Sequence, residues 1–172
     1  DGNGVYFTSD LGSEFQTLRH MDLATGKITD LTGDVQWNVD DIELSDDGRH
    51  LAYVLNEDGA SRLQIRDVTA ATEVAVPQMP FGVIGDIEFE PNGRRLAYSL
   101  QTPDSPYDIW TVTPGDAEAV RWTQSELGPL EGRGERRVDP QGHVLVTTGR
   151  AAGDGRDGDA APGRVTHEAQ SG

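Results

Sequence analysis

The sequence predicts an all-β protein: a partial β-propeller of about three four-stranded antiparallel blades, the first incomplete, with a disordered C-terminal tail. Three observations predict it. A unit of about 45 residues recurs along the chain. Within each unit apolar and polar residues alternate with period two, the pattern of a half-buried strand. Between the alternating runs stand Asp-Gly and Asn-Gly pairs, which supply the positive φ that tight turns require.

The repeat is clearest in two segments that align for twelve residues without a gap. One reads Ser45-Asp46-Asp47-Gly48-Arg49-His50-Leu51-Ala52-Tyr53-Val54-Leu55-Asn56, the other Glu90-Pro91-Asn92-Gly93-Arg94-Arg95-Leu96-Ala97-Tyr98-Ser99-Leu100-Gln101. A first strand precedes each, at residues 39–44 and 84–89, with Ile42 and Leu44, like Ile87 and Phe89, on one side and acids on the other. Second strands follow at 51–55 and 96–100, third strands at 62–68 and 108–112, and fourth strands at 73–76 and 118–122. Four short strands in about 45 residues are the dimensions of a propeller blade. Residues 1–34 form a further copy without its first strand, with strands at 5–8, 17–23 and 27–31. The expected organisation is therefore blades at 1–34, 35–79 and 80–130, followed by a flexible or out-of-frame tail at 131–172.

Charge divides the chain at the same place. The formal net charge is −16. Residues 1–130 hold 23 acidic and 8 basic side chains, and residues 131–172 hold 7 and 6. An acidic body repels phosphate backbones and anionic headgroups, which argues against nucleic-acid and membrane-surface partners and in favour of cationic peptides. Most of these acids are expected to sit in solvated turns. No run approaches the roughly 18 to 20 apolar residues of a membrane span. There is no cysteine, so disulfides and Cys-ligated zinc are excluded, but no compartment is identified. The chain opens on Asp1-Gly2-Asn3-Gly4, with no initiator Met and no signal segment, so it reads as a processed chain or a fragment.

The units resemble the WD40-like propeller repeat, whose core runs Ser-Pro-Asp-Gly-x-x-Leu-Ala-Tyr/Phe and whose third strand ends Asp-Leu-x-Thr-Gly. Met21-Asp22-Leu23-Ala24-Thr25-Gly26 matches the second pattern; Asp46 departs from the proline of the first, and Asn92 from its aspartate. A finer resemblance is to the N-terminal propeller of bacterial serine peptidases of the prolyl oligopeptidase (S9) and dipeptidyl-peptidase IV-like type. It is carried by Thr8-Ser9-Asp10-Leu11-Gly12-Ser13-Glu14-Phe15-Gln16, by residues 53–63, and by Trp122-Thr123-Gln124-Ser125-Glu126-Leu127-Gly128. In that family the propeller caps an α/β-hydrolase domain and restricts access to it. The resemblance thus implies a non-catalytic segment that gates or positions peptide substrates. Its partners would be that hydrolase domain and peptide. The alternative is a standalone TolB-like propeller for protein–protein interaction. Nothing in the residues supports a lyase or a glycan-binding propeller.

No catalytic, cofactor-binding or metal-ligating residue is expected. The nucleophile elbow Gly-x-Ser-x-Gly does not occur, and Ser13, preceded by Gly12, lacks its second glycine. The stretch 154–159 lacks the Asp-x-Asp-x-Asp-Gly order of a calcium loop. Asp40, Asp41, Asp46 and Asp47 read as strand-exterior and turn-capping groups. His20, His50, His143 and His167 lack zinc spacing. Tyr53, Tyr98, Trp110 and Trp122 are expected to pack between blades.

Past residue 130 the resemblance stops. Residues 151–159 have a composition that cannot bury a core. A truncation or frame shift near codon 130 and a natural disordered tail both account for the break. One echo remains, Pro140-Gln141-Gly142-His143-Val144-Leu145-Val146, which resembles residues 91–97, but a charged, glycine-broken segment stands where its preceding strand should be, and the segment is read as tail. Fewer than three full blades cannot close a ring of the usual four to eight. The isolated chain is therefore expected to self-associate through open blade edges, to be marginally stable, or both.

Overall fold

The computed structural model describes residues 2–125 and, beyond them, the strands Gly134–Val138 and Val144–Thr148. Its two compact units are Asp1–Pro129 and Leu130–Gly172.

The first unit is three antiparallel meanders, and no described residue is helical. The opening sheet has three strands: β1 (Gly4–Ser9), β2 (Thr17–Asp22) and β3 (Ile28–Asp30). The second has four: β4 (Asn38–Leu44), β5 (His50–Glu57), β6 (Ala60–Asp67) and β7 (Thr72–Val74). So has the third: β8 (Val83–Phe89), β9 (Leu96–Thr102), β10 (Ser105–Val112) and β11 (Ala119–Arg121). This is the partial propeller that the repeat predicts; among the described residues the opening sheet has no counterpart of β4 and β8.

The Asp-Gly and Asn-Gly turns form as their chemistry requires. Gly48 and Gly93 both have positive φ, 71° and 68°. Asp47 Oδ1 accepts from Ser45 Oγ and the Arg49 amide, and Asn92 Oδ1 accepts from the Arg94 amide. Both first strands are bulged at equivalent places, where the register shifts between Val39 and Asp41 and between Ile84 and Ile87. A bulge increases local twist. At the second bulge Gly85 is tightly placed, since a Cβ there would lie 2.7 Å from Ser99 Oγ.

Two core clusters lie between the sheets. Leu51, Tyr53 and Leu55 of β5 join Val39 of β4 and Leu18 of the opening sheet. The alternate residues Ala52 and Val54 join Leu63 and Ile65 and meet Ile84, Ile87, Phe89, Leu96, Tyr98 and Leu100 of the third sheet. Strand β5 is therefore buried on both faces, because period-two alternation sends its residues into two different cores. Full burial of each large aliphatic side chain is worth about 1.5–3 kcal/mol.

The two first strands are buried unequally, and one strand boundary needs correction. Ile87 and Phe89 are buried, but Ile42 is only half-buried and Leu44 is 40% exposed. Among the described residues the opening sheet supplies no inner strand to cover these two. The fourth strand of the second sheet was expected at 73–76, but it ends at Val74. There the Ala75 carbonyl accepts from the Gly115 amide of the third sheet at 3.1 Å, and Pro77 has no N–H to continue a ladder.

In the second unit β12 (Gly134–Val138) pairs antiparallel with β13 (Val144–Thr148). The sequence echo at 140–146 thus falls partly on a strand, within the segment expected to be a flexible tail. The glycine-rich stretch 151–159, His143 and His167 lie outside the described residues.

Candidate functional site

Three places in the first unit gather chemistry-bearing groups. The first is the pair of inner strands. Asp41 and Glu43 on β4 recur as Asp86 and Glu88 on β8, 45 residues on. Burial pushes the Glu43 carboxyl up, and the charges of Asp41, Glu88 and Asp46 push it further. The two strands thus share one acidic field, which favours cationic ligands. Two neighbouring acids are occupied: Asp40 accepts from Asn56 Nδ2 at 3.0 Å, and Asp47 caps its turn. Among the described residues no group of His, Cys, Asp and Glu is arranged to hold a metal ion.

The second place was not legible in the sequence. Asp108 on β10 is buried, 1% exposed. Its Oδ1 accepts from Thr123 Oγ1 and the Ser125 amide, both at 2.8 Å, and its Oδ2 from Ser105 Oγ and the Arg121 guanidinium. The Ser105 bond foremost holds this carboxyl well below the usual carboxylate range; burial acts in the opposite sense, and the bonds from Thr123, Ser125 and Arg121 add to the lowering. The node pins the segment leaving β11. Thr123 and Ser125 stand in the stretch that carries the family resemblance, but their shared acceptor lies 15 and 17 residues earlier.

The third place is a groove of about 670 Å³ on the outer edge of the second sheet, between β6 and residues 75–81. Leu63, Gln64, Val76, Pro77, Met79 and Phe81 are among its lining residues, and Phe81 is 72% exposed. At the same edge of the other two sheets the chain is clasped shut. Leu31 N donates to Leu18 O and Leu18 N to Thr32 Oγ1. Likewise Trp122 N donates to Ile109 O and Ile109 N to Thr123 Oγ1.

The aromatic residues behave as expected with one exception. Tyr53 and Tyr98 are buried in the two inter-sheet cores, and burial pushes the Tyr98 phenol up to about 12. Trp110 packs against the same core as Tyr98, with the Arg121 guanidinium 5.8 Å from its ring centre. Trp122 does not pack between sheets: it follows β11, is 61% exposed, and its Nε1 donates to Thr111 Oγ1. His20 lies 4.8 Å from the Tyr6 ring, and His50 is stacked on Phe89. The loop 8–16, which carries part of the resemblance, binds the opening sheet to the second one: the Gln16 amide donates to Asn38 Oδ1 and the Val39 amide to Gln16 O, both at 2.8 Å.

No family model matches the sequence, and no curated protein matches it. Solved structures do. TolB from Acinetobacter baumannii is similar at a TM-score of 0.55 and 16% identity, over 74% of this chain and 31% of that one. A structure from a study of two prolyl endopeptidases is similar at 0.60 and 14%, over 85% of this chain and 22% of that one. Prolyl oligopeptidase B from Galerina marginata, bound to a 25-residue macrocyclization substrate, is similar at 0.66 and 11%, with the same coverage. The chain thus spans less than a third of the length of each of these proteins. At these identities the likeness shows the fold alone, and that fold is the β-propeller.

Proposed function

We propose that this chain is a non-catalytic propeller segment of an S9-type serine peptidase, gating or positioning peptide substrates for an α/β-hydrolase domain. The observation that carries the reading is the sequence resemblance of residues 8–16, 53–63 and 122–128 to the N-terminal propeller of that family. The fold is shared with the prolyl endopeptidase and prolyl oligopeptidase structures over 85% of the chain, and with TolB over 74%. The acidic field of β4 and β8 fits a surface that steers cationic peptide segments. The hydrolase chemistry would be supplied elsewhere, on a Gly-x-Ser-x-Gly elbow with later Asp and His.

The test is the coding DNA, read in all three frames for about 1,000 bases past codon 130, the span that a hydrolase domain of roughly 250 residues needs. An elbow followed by Asp and His codons is the expected result. Its absence leaves the second reading, a TolB-like interaction module, which the likeness to TolB favours.

A further inference from the structure

The groove on the second sheet stands where the other two sheets are filled by their own chain. The registers make the equivalence explicit. His20 pairs with Thr29, which brings Leu31 opposite Leu18; Thr111 pairs with Val120, which brings Trp122 opposite Ile109. Ile65 pairs with Val74, which would bring Val76 opposite Leu63. An apolar residue followed by threonine occupies the first two places, Leu31-Thr32 and Trp122-Thr123, and the third holds Val76-Pro77. Proline offers no hydroxyl and no N–H, and Ala75 is drawn off to Gly115. Among the described residues neither clasp bond recurs at Leu63: no Val76 amide donates to its carbonyl, and no hydroxyl accepts from its amide.

We propose that this groove is a peptide-binding site, in which an extended segment pairs with Leu63 on the outer edge of β6, between Ser61, whose amide donates to the Gly82 carbonyl, and Ile65, which pairs with Val74. The chain's two closed edges specify the occupant. Its backbone N–H donates to the Leu63 carbonyl from an apolar residue, and the next residue is Thr or Ser, whose hydroxyl accepts from the Leu63 amide. Strand addition takes affinity from main-chain bonds and specificity from side-chain pockets. A volume of about 670 Å³ lies within the range of small-molecule pockets. The net charge of −16 selects a peptide with basic residues beside the apolar–hydroxyl pair. This site is on the outer edge of a blade and does not depend on whether the parent protein is a peptidase.

The probe is a labelled heptapeptide with the sequence of residues 119–125, Ala-Val-Arg-Trp-Thr-Gln-Ser, titrated into the full 172-residue chain. Fluorescence anisotropy should show saturable binding, and the Leu63 amide should gain protection from hydrogen exchange when the peptide binds. Replacing the peptide's threonine by valine should weaken binding about fivefold, the worth of one hydrogen bond. In the protein, Pro77→Thr gives the chain its own hydroxyl at the vacant place, next to the Val76 amide. It should protect Leu63 without peptide, raise the melting temperature and weaken peptide binding at least about tenfold. The proposal is overturned by any of four results: no saturable binding, equal binding of a scrambled peptide, binding that leaves the Leu63 amide unprotected, or a Leu63 amide already protected in the free chain.

Discussion

Two strands carry nearly the same five residues, Leu51-Ala52-Tyr53-Val54-Leu55 in β5 and Leu96-Ala97-Tyr98-Ser99-Leu100 in β9. In β5 all five are buried; in β9 the first, third and fifth are buried, and Ala97 and Ser99 are half-buried. The backbone pattern is the same, and what differs is the number of neighbouring sheets. Strand β5 has the opening sheet on one face and the third sheet on the other, whereas β9 meets the second sheet through its odd-placed residues alone. The one chemical difference between the two runs, valine against serine, falls on the face where the surroundings differ. Position 54 feeds a core, while Ser99 Oγ accepts from the Asp86 amide at the bulge.

The sharpest way to break this comparison is to exchange that residue in the doubly buried strand. Val54→Ser removes buried methyl groups and leaves a hydroxyl among Ala52, Leu63 and Ile65. It should cost about 3 kcal/mol, from the cavity and the unpaired polar group together. Urea denaturation should show the midpoint falling with the slope unchanged. A loss under about 1 kcal/mol would mean that β5 is not held between two cores.

How much of this was legible follows from the same contrast. Strand order, the positions of the turns and the burial of Tyr53 and Tyr98 follow from alternation and glycine placement, which are local and repeat at a fixed offset. The exposure of Leu44 was not legible, because it depends on a strand missing from a different sheet. Nor was the early end of β7, which depends on Gly115, forty residues beyond Ala75. Asp108 looked like one more acid in an acidic chain. Its partners Ser105, Thr123 and Ser125 are ordinary turn residues until the register of β10 and β11 brings them together. The groove could have been suspected from the proline that stands where Thr32 and Thr123 recur, but only once the fourth strands are aligned by their pairing.

The next effect down separates the third sheet from the second. Asp108 stands in the place that Arg62 takes in β6, as the pairings Ile65↔Val74 with Val54↔Leu63 and Thr111↔Val120 with Ser99↔Ile109 align the strands. The buried carboxylate is thus peculiar to the third sheet. Its folded-state carboxyl is held below the unfolded value of about 3.9. The stability it contributes is therefore fully present above that value and is lost as pH falls toward the folded-state value. Asp108→Asn should lower the melting temperature at pH 7, and the gap between variant and parent should narrow steadily below about pH 4. Other depressed carboxyls, such as Asp22, Asp47 and Asp67, are common to both proteins and cancel in the difference. Thermal melts of the pair from pH 7 to pH 2 make the measurement, and parallel curves would remove Asp108 from the acid response.

The smallest effect belongs to the reverse exchange, Ser99→Val. It deletes the acceptor for the Asp86 amide, a solvent-reachable group at the bulge, and adds a β-branched side chain to a strand. The two changes oppose each other, so stability should move by less than about 1 kcal/mol in either direction. Set beside Val54→Ser, this makes the two exchanges unequal although they interchange the same two residues at equivalent positions. If Ser99→Val instead shifted the urea midpoint as far as Val54→Ser does, the two faces would be energetically alike. Position 99 would then have to lie against a packed surface, and burial in this repeat would be set by the repeat itself. An unequal pair places the control with the neighbouring sheet, which is why the same five residues read alike in sequence and differ in what they cost to change.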